Sequence, residues 1–366
     1  MLNYVPSITH VSSEVYGTSE AIFRSLEALS FKQMDGWVDC EEAGDAVVIA
    51  PKLQKLKISS CLSLRRIPFR TLGADVTELR LSGSGLCADE ISSYLQRLTA
   101  LTHLYLEGTY KTITLPCRNL RSLVSLQIRS CKEVLFKGGP LYLKNLKNLS
   151  VRKVQKITAP LDEEPSCDHP TQSNPVLNSL THLDIDGLSL SQLLNLDNMR
   201  YKIPVLQTLK LSHLPKLTAS LEMFLEQFTM LQQLEFHLCG ELTRLPSNLA
   251  SILSLKKLSL SHCPQIHSLP LNGLPGSLKE LQIEGCSQML EARCLKEPGE
   301  DWPKKEKMDE WRQSKRKEWW LGKRKEMLKC LKKNVEDMTL NNEEEELIRR
   351  KEEEWLKKEQ HELLMN

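Results

Sequence analysis

The most regular feature of the chain is an apolar beat at steps of three and two, first read at Leu26 (LEALSF), Leu53 (LQKLKI), Val76 (VTELRL), Leu101 (LTHLYL), Leu123 (LVSLQI) and Leu146 (LKNLSV). It returns at Leu180 (LTHLDI), Leu206 (LQTLKL), Leu231 (LQQLEF), Leu255 (LKKLSL) and Leu278 (LKELQI), which makes eleven copies. Successive starts lie 22 to 27 residues apart, except for one interval of 34 that holds the Pro/Ser/Asp-rich stretch TAPLDEEPSCDHPTQSNPVLNS. A period of this size kept over most of a chain marks a repeat architecture. The last two apolar positions of each copy alternate as on a strand, so both point inward and the residues between them point out. One such strand cannot bury its apolar face alone. Each copy must therefore lie beside the next in a parallel sheet, while the rest of the repeat returns along the outside. The pattern predicts a curved α/β solenoid with one parallel sheet on its concave face.

Counted from the first leucine, the ninth position is Cys61, Cys131, Cys239, Cys263 and Cys286 in five copies. In the other six it is Met34, Ser84, Thr109, Val154, Leu188 and Leu214. Here the chain turns inward after its strand, and in leucine-rich repeats this corner is commonly asparagine or cysteine. A thiol is small, apolar and a weak donor, which suits a tight corner. Cys239, Cys263 and Cys286 fall in consecutive copies and are expected to stack about 5 Å apart, so a metal or redox site is the alternative to a structural role. No histidine shares their position.

These patterns divide the chain into a lead-in over 1–20, a leucine-rich-repeat solenoid over 21–303 with a loop insertion at 158–179, and a charged tail over 304–366. The tail has 18 Lys/Arg and 16 Asp/Glu among 63 residues and no proline, so it predicts helix, broken near Asn341 and Asn342. Leu321, Leu328, Leu331, Val335 and Met338 would suit a partner helix over about two heptads. The basic stretch with Trp311, Trp319 and Trp320 would suit nucleic acid or an anionic surface. A solvated helix without a specific partner is the preferred reading of the tail.

Charge narrows the function classes. The 49 basic and 47 acidic residues leave a formal charge of +2, which gives no bulk field for nucleic acid. No apolar run approaches the roughly 18 residues of a membrane span. The opening MLNYVPSITHVSSEVYG lacks the basic start and apolar core of an export signal, which points to a cytoplasmic chain. The eleven cysteines include no C-x-x-C pair, and reduced thiols are the default there.

Candidate contact residues follow from the outward positions three, five and seven of each copy. The early half leans basic, with Lys55, Lys57, Arg80, His103, Tyr105, Arg129 and Arg152. The later half leans acidic, with His182, Asp184, Asp186, Glu235, His237, Glu280 and Glu284. Arg and Tyr are enriched at binding hot spots, which puts Arg80, Tyr105, Arg129 and Arg152 first. A second reading takes His182, Asp184, Asp186, Glu235 and His237 as metal ligands of a hydrolase. Strands two apart are nearly 10 Å from one another, however, and Lys210 falls between the two groups. No G-x-S-x-G elbow or H-E-x-x-H helix is present, and Cys167-Asp168-His169 lies in the insertion without a fixed base. The expectation is a protein-binding module with no enzymatic activity, no cofactor and no metal.

Several further segments carry a family resemblance. The pairs Leu245-Pro246 and Leu269-Pro270, and the run GLPGSLKELQIEGCSQMLEARCLKEPGEDWPK, resemble the C-terminal repeats of plant intracellular coiled-coil nucleotide-binding leucine-rich-repeat (NB-LRR) disease resistance proteins. VSSEVYG, SLEALSFKQMDGW and PKLQKLKISSCLSLRRIP are similar to the middle repeats of that family. The resemblance covers about residues 5 to 303. It implies a role in defense response, with early repeats docking a nucleotide-binding switch domain and late repeats sensing a pathogen effector or a host guardee. The chain departs from the family in lacking the G-x-x-x-x-G-K-[ST] loop that cradles phosphate, so the nucleotide-binding domain is absent and ATP is not an expected ligand. It also continues well past GEDWPK. The alternative is a stand-alone leucine-rich-repeat adaptor or decoy unrelated to immunity.

Overall fold

In a computed structural model of the protein, all eleven apolar copies form strands that stack in chain order. The structure describes residues 2–3, 8–11, 23–41, 49–67, 69, 72–108, 111–158, 177–194, 203–215, 219–270 and 272–290. The chain divides into two compact units, Met1–Pro303 and Lys304–Asn366, and every described residue belongs to the first. The helical tail expected over 304–366 lies outside the described residues, as do most of the insertion at 158–179 and most of the lead-in over 1–20.

The strands are β1 (Leu2–Asn3), β2 (His10–Val11), β3 (Ala28–Lys32), β4 (Asp39–Cys40), β5 (Lys55–Cys61), β6 (Glu78–Ser84), β7 (His103–Glu107), β8 (Thr112–Pro116) and β9 (Ser125–Arg129). They continue as β10 (Glu133–Lys137), β11 (Asn148–Arg152), β12 (Lys156–Thr158), β13 (His182–Asp186), β14 (Thr208–Ser212), β15 (Gln233–His237), β16 (Lys257–Ser261) and β17 (Glu280–Glu284). A 12-stranded sheet runs β1-β3-β5-β6-β7-β9-β11-β13-β14-β15-β16-β17, and each pairing in it is parallel. Leu2–Asn3 adds one strand outside the first apolar copy, a pairing too short to show in the pattern.

Equivalent positions of neighbouring copies face each other, as in Leu234↔Leu258 and Phe236↔Leu260. This in-register stacking converts the L-x-L of each strand into continuous buried rows, to which Leu56, Ile58, Leu126, Ile128, Leu234, Phe236, Leu258 and Leu260 all belong. Each such side chain contributes roughly 1.5–3 kcal/mol by leaving water. No coil holds that stabilisation without its neighbours. The result is a parallel β-solenoid with little helix.

Besides the one long parallel sheet, strands also pair on the return side. There β8, β10 and β12 form a 3-stranded parallel sheet, and β2 pairs with β4. Ile113 and Leu115, Val134 and Phe136, and Ile157 alternate inward along these return strands and are buried. Other coils return through helix, namely α1 (Ala88–Leu95), α2 (Gly187–Leu194) and α3 (Ala219–Glu226).

The corner after each strand has a feature the apolar pattern does not mark. Position eight is left-handed in ten copies, at Gln33, Ser60, Gly83, Gly108, Ser130, Lys153, His213, Leu238, His262 and Gly285, with φ between 51° and 76°. This reversal aims the backbone N–H along the stack. Gln33 N–H donates to Ser59 O at 2.9 Å, Ser130 N–H to Arg152 O at 2.9 Å and His262 N–H to Glu284 O at 2.7 Å. The conformation costs a non-glycine residue roughly 1–2 kcal/mol, least for Asn or Asp.

Position nine then turns inward, and the thiols there hydrogen-bond as weak donors. Cys61, Cys131, Cys239, Cys263 and Cys286 each donate to the carbonyl two residues back, at 3.3–3.6 Å. Cys239, Cys263 and Cys286 also reach carbonyls of the preceding coil, Leu211 O, Phe236 O and Leu260 O. The corner reading of Leu188 is corrected: its side chain is exposed. Gly187 already begins α2, and Ser189 and Leu190, with Gly187 itself, are buried in that turn.

Leu238 is the costliest of these corners, because a bulky residue at φ 52° is combined with a side chain 42% exposed. Leu238→Asn is expected to raise stability by about 0.5–1 kcal/mol, since asparagine enters the left-handed region more readily. A urea titration checks this; an unchanged or lowered midpoint contradicts it.

Candidate functional site

Every sequence-predicted contact residue lies on a strand of the long sheet, in three rows set by the register. The middle row runs Lys57, Arg80, Tyr105, Gln127, Ser150, Asp184, Lys210, Glu235, Ser259 and Gln282. Because neighbouring strands are about 4.8 Å apart, charges on adjacent copies meet directly.

Most of those charges are consumed by each other. Lys57 Nζ lies 2.7 Å from Glu78 Oε1, and Lys55 Nζ 4.0 Å from Glu78 Oε2. The paired lysines hold the Glu78 carboxyl below its ordinary range, Lys57 foremost through its hydrogen bond. Arg152 donates through Nε and Nη2 to Asp184 Oδ1 at 3.0 and 2.7 Å, and Ser150 Oγ donates to Asp184 Oδ2 at 3.0 Å. Lys210 pairs with Glu235 at 2.6 Å, and Lys257 with Glu280 at 3.0 Å. Gln233 and Gln282 donate to Glu235 and Glu280, both at 2.6 Å. Exposed pairs of this kind stabilise a fold by about 0–1 kcal/mol each. Their main effect is to cancel the simple basic-to-acidic gradient of the sequence.

His103 and His182 are exposed, and the Nδ1 of each lies within hydrogen-bond distance of the preceding threonine hydroxyl, 2.9 Å from Thr102 Oγ1 and 2.8 Å from Thr181 Oγ1. Glu284 is exposed on β17, and its carbonyl accepts from His262 N–H.

Asp186 requires a correction. Position seven is expected to face out, yet Asp186 is buried. Its Oδ1 accepts Ser189 N–H at 2.8 Å, which is the N-cap bond of α2, and its Oδ2 accepts Lys153 N–H. The carboxylate therefore ties a helix start to the corner of the preceding coil. Ser125, Ser150 and Ser212 are likewise buried at positions expected to face out, being short enough to be covered by neighbouring side chains.

The hydrolase reading loses its ligand set for the same reasons. Asp184 is occupied by Arg152, Asp186 is buried in a cap, and Lys210 and Glu235 hold each other between the two histidines. Among the described residues no group of three or more His, Cys, Asp or Glu is arranged to hold a metal ion. In the thiol column, hydrogen bonding to Cys239 pushes Cys263 up to about 11, while its bond with Cys263 draws Cys239 down. Burial pushes Cys117, on the return side, up to about 12.

Two arrangements stand apart from the neutralised pairs. The first joins Arg80, Tyr105 and Arg129 on the adjacent strands β6, β7 and β9. The Arg80 guanidinium lies 4.0 Å from the Tyr105 ring centroid, and that of Arg129 5.9 Å from it. The Tyr105 hydroxyl donates to Glu107 Oε2 at 2.7 Å, and burial followed by this bond pushes the phenol up, so the ring stays neutral.

The second arrangement is His237, whose ring meets that of His262 edge-on at 5.9 Å. Burial, with Arg152, His262, His213 and Lys210 around it, holds His237 below its ordinary 6.5. The folded chain thus resists a proton that the unfolded chain accepts, and stability falls as pH drops below 6.5. The thermal midpoint is expected to fall more between pH 7.5 and 5.5 in the native chain than in His237→Gln. Equal losses contradict this.

Register contacts were partly legible in the sequence, since Arg80 and Tyr105 hold position five of consecutive copies. The Arg152–Asp184 pair was hidden by the long interval between its two coils. The role of Asp186 had a readable signal in Asp186-Gly187-Leu188-Ser189, an acidic cap before an apolar helical turn. A scan against protein-family models finds no match to the chain, and a search of curated proteins finds none either.

Proposed function

We propose that the outward face of the 12-stranded sheet is a protein-binding surface, and that the chain is a non-catalytic leucine-rich-repeat module related to plant NB-LRR disease resistance proteins. The observation that carries this reading is the sheet face itself: polar side chains in register-aligned rows across parallel strands, with the Arg80–Tyr105–Arg129 stack standing unneutralised among them. Aromatic and arginine side chains held rigid on a scaffold are the common anchors of protein interfaces. The leucine-rich-repeat assignment is supported by the L-x-x-L-x-L strand, the left-handed corner and the inward thiol that follows it. The partners this reading favours are the nucleotide-binding switch domain of a related receptor, a host guardee or a pathogen effector, met in the cytoplasm.

Capture of a purified nucleotide-binding domain from a receptor of the resembling family tests the proposal. The full chain is expected to retain it, and a variant with Lys55, Lys57, Lys210 and Lys257 all changed to Glu is expected to lose it while keeping its circular dichroism spectrum. Capture that survives all four reversals counts against the sheet face as the contact surface.

A further inference from the structure

We infer that Arg80, Tyr105 and Arg129 form a clamp for carboxylates of an acidic, extended segment on a partner protein. This rests on the reading of the sheet face as a protein-binding surface and specifies the chemistry it recognises. On strands β5 to β9 the outward charges are Lys55, Lys57, Arg80 and Arg129 against Glu78 and Glu107. Glu78 is taken by the two lysines and Glu107 accepts the Tyr105 hydroxyl, while neither arginine makes an ion pair among the described residues. The Nε of Arg129 is also buried without a hydrogen-bond acceptor.

Geometry selects the ligand. A guanidinium is a planar fork that grips a carboxylate with two parallel N–H bonds, and stacking on a ring fixes its plane in advance. The guanidinium carbons lie 4.0 and 5.9 Å from one ring centroid, so they are no more than about 10 Å apart. Carboxylates two residues apart on an extended segment share one face and lie about 7 Å apart, within that limit. A phosphate backbone fits less well. Its unbroken row of charges would run past Glu107, which lies on the strand between the two arginines and has no ion pair among the described residues. Isolated carboxylates spaced by neutral residues meet the two arginines without that repulsion.

Fluorescence anisotropy with the full chain tests the clamp, using a labelled twelve-residue peptide in which Glu alternates with Ser, the same peptide with every Glu replaced by Gln, and a single-stranded oligonucleotide of equal charge. The native chain is expected to bind the Glu peptide, and Arg80→Gln with Arg129→Gln together to weaken that binding about tenfold or more. Arg80→Lys with Arg129→Lys is expected to recover only part of it, because a point charge cannot form the bidentate grip. Equal binding of the Gln peptide, equal binding of the oligonucleotide, or a Glu peptide indifferent to the double Gln variant would each overturn the clamp. The broader reading is judged separately by capture of the folded nucleotide-binding domain. If Arg80→Gln/Arg129→Gln leaves peptide binding intact while the four-lysine reversal abolishes capture, only the clamp fails. If capture survives the four reversals, the binding-face reading fails with it.

Discussion

Replacing Asp186 by alanine is expected to destabilise the solenoid by about 1–4 kcal/mol, the cost of stranding one buried and one part-buried backbone donor. One is Ser189 N–H at the start of α2, the other Lys153 N–H at the corner of the preceding coil. Lys153 is also left-handed, at φ 54°, so that corner depends on its hydrogen bonds to hold an unfavourable backbone. Gly187 gives the junction no room to adjust, since a Cβ there would lie 2.6 Å from His213 O and 2.9 Å from Pro215 Cδ. Asp186→Asn is expected to cost less, because its amide oxygen can still accept one of the two N–H groups. Hydrogen exchange followed by mass spectrometry separates local from global loss. The alanine variant should release the Lys153 and Ser189 amides together, and protection of both at native levels would contradict the cap.

Phe236→Ala is the second change with a large expected effect, about 3–5 kcal/mol. Phe236 is fully buried in β15 and faces Leu211 on one side and Leu260 on the other. Its carbonyl accepts the Cys263 thiol of the next coil, so the cavity opens beneath a corner contact. In a solenoid each coil is stabilised mainly by its two neighbours, and damage at one rung should spread along the stack before it reaches the ends. Amides of β14, β15 and β16 are therefore expected to exchange first in this variant, with β5 and β6 least affected. A uniform loss of protection from β5 to β17 would show instead that the stack unfolds as one unit.

The parts of the molecule legible in the sequence are those governed by a single dominant force. The leucines of LKKLSL or LQQLEF have one way to leave water in a repeating chain, and their strands lie where the pattern predicts. The corner thiols were readable for the same reason, as small apolar groups at a fixed distance from the strand. What the pattern conceals depends on competition. TITLP and EVLFK alternate as clearly as the main strands, but a beat of 22 to 27 residues draws attention from a second strand within each repeat. Asp184 and Asp186 look alike in sequence, yet one faces out to Arg152 and the other turns in to cap α2. The difference is set by Gly187 starting a helix where other copies place a left-handed residue. Lys55, Lys57 and Glu78 read as three separate charges, and only the strand register shows them to be one group.

Partners are proposed to meet this chain on the outward face of the long sheet. Bulky substitution on opposite sides of the solenoid tests it most directly, with affinity for the nucleotide-binding domain of a related receptor read by biolayer interferometry. Gln127→Trp, Ser259→Trp and Gln282→Trp each place a large ring among the outward rows, whereas Arg121→Trp, Lys144→Trp and Met223→Trp place one at exposed positions away from that sheet. The expected result is weakened binding in at least one variant of the first set and native affinity throughout the second. Native affinity throughout the first set, with loss in the second, would contradict the account.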